Sequence, residues 1–433
     1  MQKRTLFLVL SLLLLSVLAF SGAAAQSPTE IRITWYDDGN EGEVLRSLLD
    51  KFEAKNTDIK VIIDTVDYKT AILKTLPVQI QAGEGPDIAR LTAAFTSLTG
   101  YYLDMRPLLT DADYWDKSFP TLVMQAMRKP DDTKGLYGFP AEFTLTGPFI
   151  NRTLFEQAKI EVPSDTNKAV TWEAWTKVTA EVAKATETKY AVAIDRTGHR
   201  FAGPAISDGA TFFDDKGNVT LDTPGFRSFA NLLISWHKDG LTPAEVWAGN
   251  SGTYAPATDY FINGQTVLYM AGSWQVSNFA KSIGDKFDWE AVPNPSGSAG
   301  STGIPGGSVL MAIGSTKHPK EVARVMDYLA QEDVQTEFAA RRLSIPAHLA
   351  VAAKGVDYQT DNKDAKKSLS VFLAQIPNIS DQAYKLNYHP QNALIFNAIR
   401  DRLGQVLTGE LNLDDAIKRA QQDIDDGIKA AAK

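Results

Sequence analysis

Two short strand-like runs separated by one amphipathic helix constrain this chain more than any other feature. Ile31-Arg32-Ile33-Thr34-Trp35 alternates apolar and polar residues, the period of a strand. Val44, Leu45, Leu48, Leu49 and Phe52 then recur at the spacing of one helical face. Lys60-Val61-Ile62-Ile63-Asp64 is a second, β-branched run. Strand, helix and strand in so short a span form a βαβ unit, whose two strands must run parallel. In such a sheet, residues just beyond the carboxyl ends of the strands face a common crevice. Here they are Trp35, Tyr36, Asp37 and Asp38 after the first strand, and Asp67 and Tyr68 after the second.

The rest of the chain continues in the same mixed style. Gly83 to Asp87 is turn chemistry, and Ile88 to Leu91 reads as a third strand. Gly135 to Pro140 is another break. Thr171 caps a helix whose Trp172, Trp175, Val178 and Val182 share a face and belong to a core. Asn294 to Gly307 is rich in Pro, Gly and Ser and reads as a linker or site loop. A buried strand follows at 309 to 313, then a helix with Pro319 near its start and Val322, Val325, Met326 and Leu329 facing inward. The tail, 381 to 433, is helical. At the other end, Met1 to Arg4 is positive, Thr5 to Phe20 is almost wholly apolar, and Ser21 to Ala25 is a small-residue run. That is the anatomy of a secretory signal cleaved near Ala25. Roughly 400 residues remain, too many for one core.

Composition narrows the function. There is no cysteine, which removes disulfides, thiolate metal sites, cysteine catalysis and a lipid-bearing cysteine. With 44% hydrophobic and 10% aromatic residues, the core alone can hold the fold. A net charge of −8 argues against nucleic acid or an anionic membrane surface as partner. No nucleophile elbow, phosphate-binding glycine loop, dinucleotide fingerprint or zinc-protease helix is present. The five histidines are not spaced as helical metal pairs, so neither metal nor cofactor is expected. Scattered carboxylates leave a glycan-processing enzyme open, with Asp67 or Glu142 as acid or base, because such chemistry needs only two. What is present suits binding. Trp35, Tyr36, Tyr68, Trp247, Tyr254 and Trp274 fall at loop and strand ends. Flat rings cover the apolar face of a sugar while polar side chains bond its hydroxyls.

Several blocks together resemble the extracellular solute-binding proteins of ABC importers, in the carbohydrate group that includes maltose-binding protein. Ala82-Gly83-Glu84-Gly85-Pro86-Asp87-Ile88 is similar to that family's A-G-x-x-P-D turn, and Tyr102 to Leu109 to its L-x-D-L-x-P segment. Tyr137-Gly138-Phe139-Pro140 with Phe149 to Phe155 resembles its Y-G-x-P and Y-N-K-x-L-F blocks, although Ile150-Asn151-Arg152 lacks the tyrosine. Thr171-Trp172-Glu173, Phe261 to Gln265 with Gly272-Ser273-Trp274, Gly306-Gly307 and Ile345-Pro346 follow in the family's order.

The resemblance implies a two-lobe α/β periplasmic-binding fold of type II, with a ligand cleft between lobes joined by hinge segments. Lobe 1 is expected from 26–140 and 305–350, and lobe 2 from 141–304 and 351–433, after a signal at 1–25. It further implies a monomer in the periplasm or secreted, which binds a small-molecule ligand, a mono- or oligosaccharide, and delivers it by hinge closure to the permease subunits of an ABC transporter. Ligand contacts are expected from Trp35, Tyr36, Asp38, Asp67, Tyr68, Glu142, Thr144, Trp274, Gly306, Gly307, Arg342, Phe396 and Arg400, with Trp274 stacking on the sugar. Phe396 stands where the family usually has Trp. Two non-sugar cargoes stay open. Asp37, Asp38 and Asp67 could cage a polyamine, and Arg341, Arg342 and Arg400 could hold a glycerol phosphate.

Overall fold

The computed structural model describes residues 27–92, 95–167, 169–248 and 253–431; the expected signal segment lies outside them. The first strands are β1 (Thr29–Trp35), β2 (Ile59–Thr65), β3 (Ile88–Leu91) and β4 (Gly138–Pro140). A second series follows as β5 (Thr144–Asn151), β6 (Tyr190–Ile194), β7 (Thr266–Gly272) and β8 (Trp289–Ala291). A small hairpin, β9 (Ser296–Gly297) with β10 (Gly300–Ser301), leads to β11 (Pro305–Gly306) and β12 (Val309–Ala312). One sheet has the order β2-β1-β3-β12-β4; the other runs β11-β5-β7-β6, with β8 also on β5.

The opening βαβ unit forms as its pattern dictates. Ile31, Ile33 and Trp35 point into the core, and β1 pairs with β2 in parallel, Ile31 opposite Val61. The helix Glu41–Glu53 covers that face with Val44, Leu45, Leu48, Leu49 and Phe52, all buried. Each such side chain stabilises the fold by about 1.5–3 kcal/mol relative to exposure. In the other sheet all eight residues of β5 are buried, because elements pack on both of its faces. The helix Trp172–Thr186 starts where Thr171 Oγ1 accepts the Ala174 N–H, and Trp172 and Trp175 are both buried.

Two separate apolar cores result. One gathers side chains from 31 to 141 and 309 to 338 around Trp115, Phe119 and Phe139. The other gathers 145 to 304 and 343 to 424 around Phe149, Phe279, Trp289 and Phe372. The chain passes between them over 141–143 and 307–308. It passes a third time after the helix Leu349–Lys354, which packs on the helix Ala112–Ser118 of the first unit. Pro305 and Gly306 pair with Leu145 and Thr144 in the second sheet, while the helix Leu349–Lys354 packs on the first unit. The crossing strands bond to one another: Ala141 N–H donates to the Ser308 carbonyl at 2.9 Å, and Phe143 N–H to that of Ile345 at 3.0 Å.

Gly307 lets these strands approach. Its φ is +138°, and a Cβ there would come within 2.2 Å of the Glu142 carbonyl oxygen. Gly307→Ala should lower unfolding stability by about 2 kcal/mol or more through strain and clash, read as a lower urea midpoint.

Candidate functional site

A cavity of about 370 Å³ lies between the two units, above the crossing strands. The first unit contributes Tyr36 and Asp38 from the loop after β1, Tyr68 after β2 and Thr92 after β3. These are carboxyl ends of neighbouring strands, where a parallel arrangement leaves a crevice. The second unit contributes Thr197, His199 and Arg200 after β6, Trp274 after β7, and Tyr254. Phe396 and Arg400 come from the helix Asn392–Leu407, and Glu142, Thr144, Gly306 and Gly307 from the crossing segments.

Behind the first wall sits a buried charge cluster. Arg90 pairs with Glu41 (3.2 Å) and Glu142 (2.9 Å), and Arg342 with Glu41 (2.9 Å) and with Glu142. Ser308 Oγ accepts from Arg90 Nε at 3.0 Å and donates to Glu142 Oε1 at 2.8 Å. Arg90 also donates to the Tyr36 carbonyl and lies 4.0 Å from the centroid of the Tyr36 ring. Burial pushes the Glu41 carboxyl up, but Arg342, Arg90 and backbone donors outweigh it and hold it down at about 2. Asp38 is placed differently. Burial and the neighbouring Glu41 charge push it up to about 6, against the pull of Arg90 at 3.6 Å and of Arg342.

The second wall is organised by Asp195, fully buried. Its oxygens accept from Tyr269 Oη (2.6 Å), Ala257 N (2.8 Å), Arg200 Nε (3.2 Å) and Tyr254 Oη (3.4 Å). Arg200 and Tyr254 are thereby aimed into the cavity. Arg200 lies 4.1 Å over the Trp274 ring and bonds His199 Nδ1 at 2.8 Å. Burial and then the Arg200 charge push His199 down to about 3, so its ring is neutral at physiological pH.

The units also touch around the cavity. Ser277 Oγ bonds Asn40 Oδ1 at 2.8 Å, Thr96 Oγ1 donates to the Pro390 carbonyl at 3.4 Å, and the Tyr68 and Tyr254 rings meet edge-on at 6.0 Å. Tyr388, reaching from the second unit, packs against the first core. This is a closed cleft.

Tyr36, Asp38, Tyr68, Glu142, Thr144, Trp274, Gly306, Gly307, Phe396 and Arg400 all line it. Three expected contacts do not. Trp35 continues the inward register of β1, packs edge-on against Phe338 at 6.4 Å and bonds Asp37 through Nε1. Asp67 caps the helical turn Tyr68–Thr75, accepting the Thr70 N–H at 2.6 Å. Arg342 is consumed by the charge cluster. Trp274 lines the cavity, but one ring face carries Arg200 and the ring edge lies against Gly272, where a Cβ would fall 1.9 Å from Cζ3. The carboxylates needed for acid–base chemistry are otherwise engaged, Asp67 as a cap and Glu142 between two arginines. Of the aspartates that would cage a polyamine, Asp38 alone lines the cavity, and of the three arginines for a phosphate, Arg400 alone. Among the described residues no cluster of three or more His, Cys, Asp or Glu could hold a metal, and no helix is long and apolar enough to cross a membrane. Thr197, His199, Arg200, Asn387 and Tyr388 were missed. The rule that finds Tyr36 also finds the first three, once Tyr190–Ile194 is recognised as a strand.

Residues 47–366 match the family of bacterial extracellular solute-binding proteins. The chain belongs to that family. It is 21% identical over 386 residues, 86% of each chain, to YcjN of Escherichia coli K12, described as an ABC transporter periplasmic-binding protein. Among solved structures it is similar to a Thermotoga lettingae solute-binding protein with bound α-D-tagatose: TM-score 0.74, 18% identity, 92% of this chain and 98% of that one. It is also similar to Thermotoga maritima MalE3 with maltose: TM-score 0.72, 19% identity, 92% and 99%. The fold is thus the two-lobe α/β fold of these solute-binding proteins, and the cavity is the cleft between its lobes.

Two outcomes test the electrostatics of this solute-binding protein. An aspartate whose pKa rises from 3.8 to about 6 on folding contributes stability that is complete below about pH 4 and is lost as pH climbs through 6. Asp38→Asn should therefore raise the melting temperature at pH 7.5 by a few degrees and lose that advantage below pH 4. Glu142→Ala strips both arginines of a partner and should destabilise by about 3–5 kcal/mol in urea unfolding.

Proposed function

We propose that this protein is the carbohydrate-binding component of an ABC importer, which captures a mono- or oligosaccharide in the interlobe cleft and presents it to the permease by closure. The observation that carries the reading is the cleft's lining. Tyr36, Tyr68, Tyr254 and Phe396 offer flat apolar surface, and Asp38, Thr92, Thr144, Arg200 and Arg400 supply donors and acceptors around it. That combination suits a molecule with apolar C–H faces and a rim of hydroxyls. The sugars held by its structural relatives, maltose and tagatose, support the same class.

Closure follows from differential affinity. A ligand that touches Tyr36 and Tyr68 on one lobe and Arg200 and Tyr254 on the other gains contacts in the closed form that the open form lacks. The crossing segments 141–143, 307–308 and 355–362 act as the hinge, a few residues absorbing the rotation. No bond is made or broken in this cycle. The opening segment reads as a signal cleaved near Ala25, so the mature chain works in the periplasm or as a secreted protein, and it acts there as a monomer.

Thermal unfolding of the purified chain against mono- and oligosaccharides, polyamines and glycerol phosphates tests the reading. A saccharide at a hundredfold over its Kd should add about 2.7 kcal/mol and raise the midpoint. A shift with a polyamine or glycerol phosphate alone would overturn the carbohydrate assignment.

A further inference from the structure

Arg200 has a property no other cleft cation shares. Among the described residues, it is the lining cation that is only 8% exposed yet keeps a nitrogen, Nη2, with no protein partner. It is also held still: stacked on Trp274 at 4.1 Å, anchored through Nε to Asp195, and bonded through Nη1 to a neutral His199. A guanidinium fixed in this way is pre-organised for an acceptor, because little side-chain freedom remains to be lost on binding.

The surroundings choose the sign of that acceptor. Asp195 shares its charge among four donors, so it does not fully neutralise Arg200. Lys69 and Lys74 add positive charge to the opposite wall. The lining carboxylates are Asp38, already 3.6 Å from Arg90, and Glu142, clamped between Arg90 and Arg342. A cationic ligand would meet Asp38 alone, a carboxylate with Arg90 at 3.6 Å; an anionic one meets the open guanidinium of Arg200. The bias is local, since the whole chain carries −8.

We propose that the cleft selects an acidic saccharide, a sugar bearing a carboxylate, with that carboxylate on Arg200 and the hydroxyls turned toward Asp38 and Tyr68. The proposal rests on the carbohydrate reading above and narrows it. A charge-assisted bond from Arg200 to a carboxylate is roughly twice as strong as one to a neutral hydroxyl. Arg200 then reads the acidic group, while the tyrosines read the ring.

Titration calorimetry on the purified chain tests this, using D-galacturonate, D-glucuronate and their short oligomers beside D-galactose, D-glucose and the matching neutral oligomers. The acidic member of a pair should bind at least about tenfold tighter at low salt, a difference of ~1.4 kcal/mol, and the gap should narrow as salt rises. Arg200→Gln should abolish the preference and Arg200→Lys retain part of it, with far-UV circular dichroism checking the fold of each. If Arg200→Gln does not fold, the wild-type comparison and Arg200→Lys still decide. Neutral sugars binding as tightly as their acids would overturn the inference and leave the carbohydrate function intact. An acid preference surviving in Arg200→Gln would overturn the role of Arg200. Binding of no saccharide, acidic or neutral, would bring down the carbohydrate reading itself.

Discussion

The buried cluster of Arg90, Glu41, Glu142, Arg342 and Ser308 is the interaction on which the rest of the molecule hangs. Moving four charges out of water costs several kcal/mol each, and mutual attraction offsets this only where every charge is met at close range. Here each arginine meets both glutamates, and Ser308 bridges Arg90 to Glu142. Glu41 gains further because it opens the helix Glu41–Glu53, where a negative charge meets the positive end of the helix dipole. The members come from a strand, a helix start, two crossing segments and the last residue before the chain returns toward the hinge.

The cleft inherits its character from that cluster. Arg90 takes the Tyr36 carbonyl, which fixes the loop carrying Tyr36 and Asp38 at the cavity edge. Glu41, held ionised beside it, is also a reason that Asp38 stays protonated to a higher pH. Across the cavity Asp195 plays the corresponding part with neutral and charged donors, aiming Arg200 and Tyr254. Each wall is thus a set of surface groups held from behind by a buried acid.

Local pattern carries much of this structure. The βαβ unit, the strand at 309 to 312 and the paired tryptophans of the helix Trp172–Thr186 follow from periodicity, because burial on one face leaves a period in the sequence. As an aromatic at a strand end, Trp35 reads as a cleft residue. Yet Ile31, Ile33 and Trp35 share one parity, and the same alternation that finds the strand puts Trp35 in the core and Tyr36 beyond it. Asp67 stands before a helical turn, the position of a cap, and it serves as one. Arg200 follows the strand Tyr190–Ile194 and so is reachable by the strand-end rule, but its stacking on a tryptophan seventy-four positions later leaves no local pattern.

The sequence by itself determined the mixed α/β class, the parallel opening unit, a core that needs no disulfide, and the family. Those properties are written in local periodicity, composition and short ordered blocks, which neighbouring residues carry together. Tertiary structure alone decided which charged residues line the cleft and which are spent on one another. Arg342 meets Glu41 across 301 positions, and Arg90 meets Glu142 across 52. A charge's role depends on the partner that burial brings to it, and no local pattern encodes a partner that distant.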